Sequence, residues 1–315
     1  MRKPTILAVV PFTTNIEKLL DNNFEVIRLW QTNNQQEILC KYAQKIRGVA
    51  TDGHAGADKN LINKLPSLEI ISCYGVGYDA IDLATARERS IVVTNTPNVL
   101  NDAVAELTIG LMVGLCRQIP KMHEYVCSGQ WGNKKELRLG MQLAGSRAGI
   151  LGLGRIGKEI ANRLLPFKMR VSYYGRTEQK NVDYEYFSDL CSMASKIDWL
   201  IVAAPATPQT KHIVNRDVLT SLGELGYLIN VSRGSLVDET ALSELLQSGG
   251  IGGAALDVFS DEPRVPESIR KSKRVLLTPH IGSATSETRE AMGQLVVRNL
   301  SRKFQNKPVV TQVNA

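Results

Sequence analysis

Three polar residues of this chain could do acid–base and anion-binding chemistry, and each follows an apolar run typical of a buried strand: Arg233, Glu262 and His280. Because ligands in open α/β sheets bind outside the carboxyl ends of the strands, we expect these side chains at one sheet edge. His280, as imidazolium, could protonate a carbonyl oxygen while Glu262 orients the ring. The forked guanidinium of Arg233 could hold a carboxylate and that oxygen. Together they suit reduction of a ketone with an anionic end; singly, they could be a surface arginine, a turn carboxylate and a loop histidine.

A hydride source is indicated by a Gly-x-Gly-x-x-Gly turn at Gly152, Gly154 and Gly157. The turn lies between a predicted strand, Arg147–Leu151, and a predicted amphipathic helix over 155–167. Gly152 permits the bend, Gly154 lets the backbone approach a pyrophosphate, and Gly157 lets the helix pack closely on the strand. The helix N-terminus offers N–H groups to the phosphates. The turn therefore predicts a dinucleotide site, with a ligand-free glycine turn as the alternative.

The end of the next predicted strand, 169–174, bears on which dinucleotide binds. A site that prefers NAD places an acidic residue there for the ribose hydroxyl. This chain has Gly175, Arg176 and Thr177 instead, with no carboxylate until Glu178. Arg176 and Thr177 could bind a 2′-phosphate, and each hydrogen bond to a charged group is worth roughly 1.5–3 kcal/mol. We predict NADP over NAD; the alternative is that Arg176 is a solvated loop arginine.

The elements that must position these residues alternate between strand and helix. In the first hundred residues, the predicted strands are 5–10, 25–29, 48–51, 69–72 and 91–94, and the predicted helices are 14–21, 35–44, 58–65 and 79–89. Later strands are predicted at 169–174, 199–203, 227–231, 254–257 and Val275–Leu277. This order predicts an α/β protein with parallel sheets.

Two further helices bear on domain organisation. A long helix is predicted over 101–128, with Asn101 as its N-cap. It is apolar nearly all round, which favours burial against a second subunit or, alternatively, between domains of one chain. The final helix, Ser286–Phe304, has no strand after it, so we expect it to return to the first domain.

Composition excludes several classes of protein. The 315 residues carry a net charge of +7, but the basic residues are scattered, and their densest run, 271–274, is short. We therefore expect steering of small anions and no nucleic-acid partner. The five cysteines show no Cys-x-x-Cys pair and no metal spacing, so we expect free, buried thiols, no metal and a reducing compartment. No signal peptide or membrane span is indicated, and we expect a cytoplasmic protein.

The chain resembles the D-isomer-specific 2-hydroxyacid dehydrogenases, and within them the NADPH-dependent glyoxylate/hydroxypyruvate reductase branch. Besides the glycine turn, the resemblance rests on Gly75-Val76-Gly77-Tyr78-Asp79, Thr94-Asn95-Thr96-Pro97, Asn230-Val231-Ser232-Arg233-Gly234, Ala255-Leu256-Asp257-Val258-Phe259 with Glu262-Pro263, and Pro279-His280-Ile281-Gly282-Ser283. It implies two Rossmann-like domains with parallel sheets. The nucleotide-binding domain, 101–283, is inserted into a flavodoxin-like substrate domain, 1–100 plus 284–315, and the protein is a homodimer.

The resemblance also implies roles for residues. Catalysis falls to Arg233, Glu262 and His280. The substrate carboxylate meets the N–H groups of Val76 and Gly77, an anion nest, and Ser283 borders the substrate. His54 is either a second substrate contact or only a loop histidine. The implied cofactor contacts are Gly152, Gly154, Arg155, Ile156, Gly157, Gly175, Arg176, Thr177, Ala204, Pro205, Val231, Ser232, Arg233, Asp257, His280 and Ser283.

Departures from the family pattern leave the substrate open. The tryptophan that the branch carries before its nucleotide domain is missing from residues 135–140, and Trp131 lies too far upstream to replace it. Besides glyoxylate and hydroxypyruvate, the candidates are therefore 2-ketogluconate, phenylpyruvate and hydroxyphenylpyruvate. Glu262 argues against a formate dehydrogenase, whose pattern has an amide there. A nucleotide-sensing corepressor is the alternative of another class, since fold alone does not decide function.

Overall fold

The computed structural model describes residues 3–32, 34–133 and 139–314. The chain divides into two compact units, one formed by Met1–Leu100 with Ala284–Ala315 and the other by Asn101–Ser283. In the described residues, the strands are β1 Thr5–Ala8, β2 Glu25–Arg28, β3 Ile46–Asp52, β4 Ile70–Tyr74, β5 Val92–Thr94, β6 Arg147–Leu151, β7 Arg170–Tyr174, β8 Glu185–Phe187, β9 Trp199–Val202, β10 Tyr227–Asn230, β11 Gly253–Leu256 and β12 Val275–Leu277. The α-helices are α1 Thr14–Asn23, α2 Gln35–Tyr42, α3 Lys59–Lys64, α4 Leu83–Glu88, α5 Asn101–Cys116, α6 Ile119–Cys127, α7 Arg155–Leu164, α8 Leu190–Ala194, α9 Arg216–Leu222, α10 Glu239–Ser248, α11 Glu267–Arg270 and α12 Ser286–Phe304.

The first unit contains a five-stranded parallel sheet in the order β2-β1-β3-β4-β5. Strands β1 and β4 are buried along their length, as expected of strands covered on both faces, and Ile6, Leu7 and Ile71 are fully buried. The C-terminal helix α12 packs against α1 and β4, so this unit is built from both ends of the chain. The strand order 2-1-3-4-5 is that of flavodoxin-like folds.

The second unit contains a seven-stranded parallel sheet in the order β12-β11-β10-β9-β6-β7-β8. Numbered in chain order within the unit and read from the β8 edge, this order is 3-2-1-4-5-6-7. Strands that follow β6 in the chain are first added on one side of it, as β7 and β8, and then on the other, beginning with β9, so the strand order reverses between β6 and β9. Trp199 is fully buried on β9 and stacks on Tyr227 of β10 at 4.7 Å between ring centroids. The predicted α/β class with two parallel sheets is confirmed.

The single long helix predicted over 101–128 is wrong. The structure has α5 and α6, bent by 60° to each other. Between them Gln118 has a positive φ of 52°, and Pro120 in the first turn of α6 has no N–H to continue the ladder. The predicted N-cap at Asn101 is also wrong, because this residue begins the helix and its buried Oδ1 accepts no hydrogen bond from the described residues.

No single helix of the described chain has the length and apolar composition to cross a membrane. The bent pair α5 and α6 reaches both only when the two helices are taken together. Half of the residues of α5 are buried within the second unit, whereas none of α6 is buried.

Several short elements were not predicted. They are β8, α8, α9, α10 and α11, of three to ten residues each. Three of the helices carry a signal that could have found them, since the side chains of Asp189, Asn215 and Asp238 cap their N-termini. The predicted helix over 79–89 begins only at Leu83, because the Asp82 side chain caps it by accepting the Thr85 N–H at 2.9 Å.

None of the five cysteines forms a disulfide within the described residues. The prediction that they are buried holds for Cys73 and Cys116 but is wrong for Cys40 and Cys127, which are exposed. Both exposed thiols lie on helices, Cys40 on α2 and Cys127 on α6, at positions that face solvent.

Candidate active site

The side chains of His280 and Glu262 form a hydrogen-bonded pair at the carboxyl edge of the second sheet. Nδ1 of His280 lies 2.9 Å from one carboxylate oxygen of Glu262, and both side chains are mostly buried. The other oxygen of Glu262 accepts the Phe259 N–H at 2.9 Å, which fixes the carboxylate. An Nδ1–H that donates to a carboxylate assigns proton transfer to the opposite ring nitrogen, Nε2.

The loop that carries His280 is held by Asp257, whose side chain is almost fully buried. Its carboxylate accepts the Thr278 hydroxyl at 2.6 Å and the N–H groups of Ile281 and Gly282 at 2.8 Å each. The Asp257 carbonyl accepts the His280 N–H at 2.8 Å. Burial raises the pKa of the Asp257 carboxyl, while these donors and the nearby His280 oppose the rise. These bonds hold His280 in a left-handed backbone conformation, φ 53°.

Arg233 follows β10 and is half-buried. The loop around it is fixed by Asn230, which is 1% exposed: its Nδ2 donates to the Arg233 carbonyl at 2.9 Å and its Oδ1 accepts the Ser232 N–H at 3.1 Å. Nη1 of Arg233 donates to the Ser232 carbonyl at 2.9 Å, and the Ser232 hydroxyl donates to the Ala204 carbonyl. Since β10, β11 and β12 are neighbours in the sheet, Arg233, Glu262 and His280 follow three adjacent strands.

A third carboxylate supports the loop that carries Glu262. Glu239, at the start of α10, accepts the Ser260 N–H at 2.8 Å. Burial raises the pKa of Glu239, and the nearby charge of Glu262 raises it further, whereas the Ser260 N–H and His212 lower it. Glu239 was not predicted as a site residue from the sequence.

The glycine turn has the shape that a dinucleotide requires. Gly152 has φ +97°, and a Cβ there would lie 2.7 Å from Cα of Ala204. A Cβ on Gly157 would lie 2.2 Å from the Gly152 carbonyl oxygen, so only glycine lets α7 start this close to the turn. A Cβ on Gly154 would meet nothing within 4 Å. The turn therefore packs tightly on the protein side and leaves open space above Gly154, where a pyrophosphate fits.

The loop after β7 presents Arg176 and Thr177 to solvent. Within the described residues, no carboxylate pairs with Arg176, which leaves its guanidinium available for an anion. Gln179 ties this loop to the glycine turn: its Nε2 donates to the Leu153 carbonyl at 2.7 Å, and its N–H donates to the Tyr173 hydroxyl at 2.7 Å. Gln179 was not found from the sequence, because a glutamine in a polar loop carries no motif.

The residues predicted to meet the substrate carboxylate, Val76 and Gly77, follow β4 in the first unit. Neither N–H donates to an acceptor among the described residues, and both residues are half-buried. His54 is exposed in a turn whose backbone is held by Asp52, which accepts the His54 and Ala55 N–H groups at 2.9 and 2.8 Å.

The remaining predicted cofactor residues lie at strand ends of the second unit. Ala204 and Pro205 follow β9, Val231 and Ser232 follow β10, and Ser283 ends the unit. Arg155 and Ile156 form the first turn of α7. The segment from which the family's tryptophan is missing is 135–140, and its residues 135–138 lie outside the described residues.

Proteins similar to this chain are 2-hydroxyacid dehydrogenases and 2-keto acid reductases. The family model for the NAD-binding domain of D-isomer specific 2-hydroxyacid dehydrogenases matches residues 109–282. Hydroxyphenylpyruvate reductase of Plectranthus scutellarioides and glyoxylate/hydroxypyruvate reductase A of Arabidopsis thaliana are each 44% identical over 308 residues, 98% of either chain. A solved NADPH-dependent glyoxylate/hydroxypyruvate reductase of Sinorhizobium meliloti, in complex with NADP and malonate, superposes with a TM-score of 0.93 at 40% identity, over 99% of this chain and 97% of its own.

The chain belongs to the D-isomer specific 2-hydroxyacid dehydrogenase family. It is accordingly an oxidoreductase with an NAD(P)-binding domain. Within this family's fold, the supporting residues that the sequence did not reveal are Glu239, Gln179 and Thr278. Each acts through a hydrogen bond to a loop that is remote in the chain, so no local pattern marks it.

Proposed function

We propose that this protein uses NADPH to reduce a small 2-keto acid, of the glyoxylate or hydroxypyruvate type, to the D-2-hydroxyacid. The observation that carries the proposal is the 2.9 Å pair of His280 and Glu262 in the same unit as the open glycine turn. A carboxylate at Nδ1 stabilises the charged imidazole, which is what a proton donor to a ketone needs.

The reaction divides among named side chains. The glycine turn, Val231 and Asp257 would hold NADPH, which would supply the hydride for the 2-keto carbon. His280 gives a proton from Nε2 to the carbonyl oxygen, and Glu262 stabilises the imidazolium before that transfer. Arg233 pairs with the substrate carboxylate and polarises the carbonyl oxygen through its forked donors. The N–H groups of Val76 and Gly77 donate to the oxygens of the same carboxylate.

Preference for NADPH is the part of the proposal that rests on Arg176 and Thr177. The exposed guanidinium and hydroxyl could both bind a 2′-phosphate, and Gly175 leaves room for it, since a Cβ there would meet only the Thr177 carbonyl at 3.9 Å. The NADP complex of the Sinorhizobium meliloti relative supports the same preference.

An aromatic 2-keto acid is the second candidate substrate. One specific observation favours it: the hydroxyphenylpyruvate reductase is as similar to this chain as the plant glyoxylate/hydroxypyruvate reductase. The absence of a tryptophan from residues 135–140 agrees with a larger pocket.

A homodimer built on the second unit is also proposed. Seven of the ten large apolar residues that the described chain exposes lie between Ile119 and Phe167. Met141 and Phe167 line a groove of about 380 Å³ together with Val113 and Cys116. We assign these exposed side chains between Ile119 and Phe167 to one apolar patch that forms a protein interface, and a second copy of the chain is the occupant that we propose.

The experiment that tests the function measures initial rates of cofactor oxidation. NADPH and NADH are each compared against glyoxylate, hydroxypyruvate, phenylpyruvate and 2-ketogluconate. We expect turnover of the small acids with a clear NADPH preference. Faster turnover of phenylpyruvate would transfer the proposal to the aromatic acids, and no turnover with any of them would favour the corepressor-like alternative. Location in a reducing, cytoplasmic compartment stays a prediction.

A further inference from the structure

The loop Gly75 to Gly77 is held by hydrogen bonds to three successive carbonyls. The Gly75 carbonyl accepts the Thr96 N–H at 2.9 Å, and the Val76 carbonyl accepts Nδ2 of Asn95 at 2.9 Å. The Gly77 carbonyl lies 3.3 Å from Sγ of Cys73, which donates to it. With its carbonyls bound on the protein side, the loop has its N–H groups as the remaining polar groups for an anion.

Asn95 is itself held by Thr311, a residue more than two hundred positions later in the chain. The Thr311 hydroxyl donates to the Asn95 carbonyl at 2.6 Å, and the Asn95 N–H donates to the Thr311 carbonyl at 3.3 Å. The same hydroxyl accepts Nδ2 of Asn299 at 2.9 Å. Asn299 is fully buried and Asn95 is 6% exposed, so this network is shielded from water.

The segment that supplies Thr311 is fixed along the edge strand β5. The Val313 N–H donates to the Val93 carbonyl at 2.9 Å. The Asn314 side chain accepts the Val93 N–H at 2.9 Å and donates to the Ile91 carbonyl at 2.8 Å. The segment therefore pairs with the sheet like one more strand, antiparallel at Thr94 and Gln312.

We propose that Thr311 and Asn95 are positioning residues for the substrate carboxylate. Through them, the C-terminal segment holds the Val76 carbonyl in place and thereby preorganises the N–H groups of Val76 and Gly77. This inference rests on the proposed function for the identity of the anion, whereas the coupling between Thr311 and the loop does not depend on turnover. Neither residue touches the reacting atoms.

If Thr311 positions the loop, binding of the keto acid depends on Thr311 and binding of NADPH does not. Loss of the hydroxyl removes one donor to Asn95 and one acceptor for Asn299. Together these two hydrogen bonds shift the equilibrium between the ordered and the loosened loop about tenfold. A loosened loop presents its N–H groups less often in the binding geometry, so the KM of the keto acid rises while kcat changes little.

The experiment compares Thr311→Val with Thr311→Ser and with a matched control, Thr5→Val. Valine keeps the shape and removes the hydroxyl, and serine restores the hydroxyl. Thr5 is buried at the other side of the same sheet, where its hydroxyl donates to Glu25 at 2.9 Å, so its loss costs a similar bond far from the loop. Three quantities are measured for each variant: the KM of the keto acid, the KM of NADPH, and the hydrogen exchange rate of the Thr96 amide, which donates to the Gly75 carbonyl.

We expect Thr311→Val to raise the KM of the keto acid about tenfold and to speed Thr96 exchange by a similar factor, with the KM of NADPH within about twofold. Thr311→Ser and Thr5→Val should leave all three near wild type. Unchanged Thr96 exchange in Thr311→Val would overturn the proposal even if the protein proved inactive. In an active enzyme, two other results would also overturn the proposal. One is an equal rise in the KM of the keto acid and of NADPH in Thr311→Val, and the other is a tenfold rise in the KM of the keto acid in Thr5→Val. Inactivity of the wild type would refute only the proposed function.

Discussion

The imidazole of His280 is positioned from two sides, by Glu262 at Nδ1 and by Asp257 through the backbone of its loop. The first contact sets the ring's tautomer, and the second sets the position of the ring. A general acid needs both, because the nitrogen that gives up its proton must face the substrate and lie within reach of it.

Replacing His280 by glutamine tests its role as the acid. His280→Gln should lower kcat by a factor of about 10² to 10⁴, because the amide cannot donate a proton to the carbonyl oxygen. The dissociation constant of NADPH, followed by its fluorescence, should stay near wild type. Glu262→Gln should lower kcat less, and the double variant should be no worse than His280→Gln alone, since the two side chains act as a unit. A wild-type kcat in His280→Gln would refute the assignment.

Replacing Arg176 by aspartate tests the cofactor preference. Arg176→Asp should shift the ratio of kcat/KM for NADPH over NADH toward NADH by about tenfold or more, because a carboxylate repels the 2′-phosphate. Arg170→Asp makes the same charge change at the exposed, opposite end of β7 and should leave the ratio unchanged. Equal shifts in both variants would show an effect of net charge alone.

Glu239 gives a pH-dependent prediction for stability. Its pKa is raised in the folded protein, chiefly by burial, so its contribution to stability is present below its ordinary pKa of 4.5 and is lost as the pH rises through the raised value. Glutamine cannot ionise but still accepts the Ser260 N–H. Relative to wild type, the free energy of unfolding of Glu239→Gln should therefore be larger at pH 7 than at pH 4, because only the wild type loses stability as the pH rises. Urea unfolding at both values measures it, and an unchanged difference would contradict the assigned shift.

At the scale of elements, the strand–turn–helix unit β6–α7 separates a glycine needed for folding from one needed for binding. Gly157→Ala would place a methyl group 2.2 Å from the Gly152 carbonyl oxygen, so α7 must move and the melting temperature should fall. Gly154→Ala meets only open space, so its melting temperature should stay near wild type, while NADPH binding weakens about tenfold or more. Thermal unfolding and NADPH titration of both variants check the distinction. Tight NADPH binding by Gly154→Ala would place the pyrophosphate elsewhere.

At the scale of the whole molecule, the exposed apolar residues of the second unit predict the assembly. Light scattering should give the wild type a mass of twice 34.7 kDa. Serine at both Trp131 and Phe167, which are 67% and 39% exposed, should shift the mass toward one chain. Serine at Leu225, 85% exposed and apart from this patch in sequence, is the control and should not change the mass. A wild-type mass of one chain would refute the dimer.

Much of the fold could be predicted because its signals are local. The apolar runs located the core strands to within a residue or two, as at β6 and β12. The break between α5 and α6 shows the limit of periodicity. The apolar residues end at Cys116 and resume at Ile119, a gap that a single helix could contain, but Gln118 has a positive φ and Pro120 lacks a backbone donor, so the chain turns. The three-residue edge strand β8 and the four-residue helix α11 were missed because so few residues carry too weak a pattern, whereas α8, α9 and α10 each had an N-cap signal that was not used.

The sequence by itself determined the chemistry of the site, since the glycine turn, Arg176 and the residue types at strand ends depend only on side-chain properties and short spacing. The tertiary structure decided what holds those groups in place. Glu239 supports the Glu262 loop, Asp257 pins the loop of His280, and Thr311 reaches Asn95 from the far end of the chain. Such contacts join residues that are distant in sequence, and hydrogen bonds between buried groups form only once packing has brought their partners within 3 Å and excluded water.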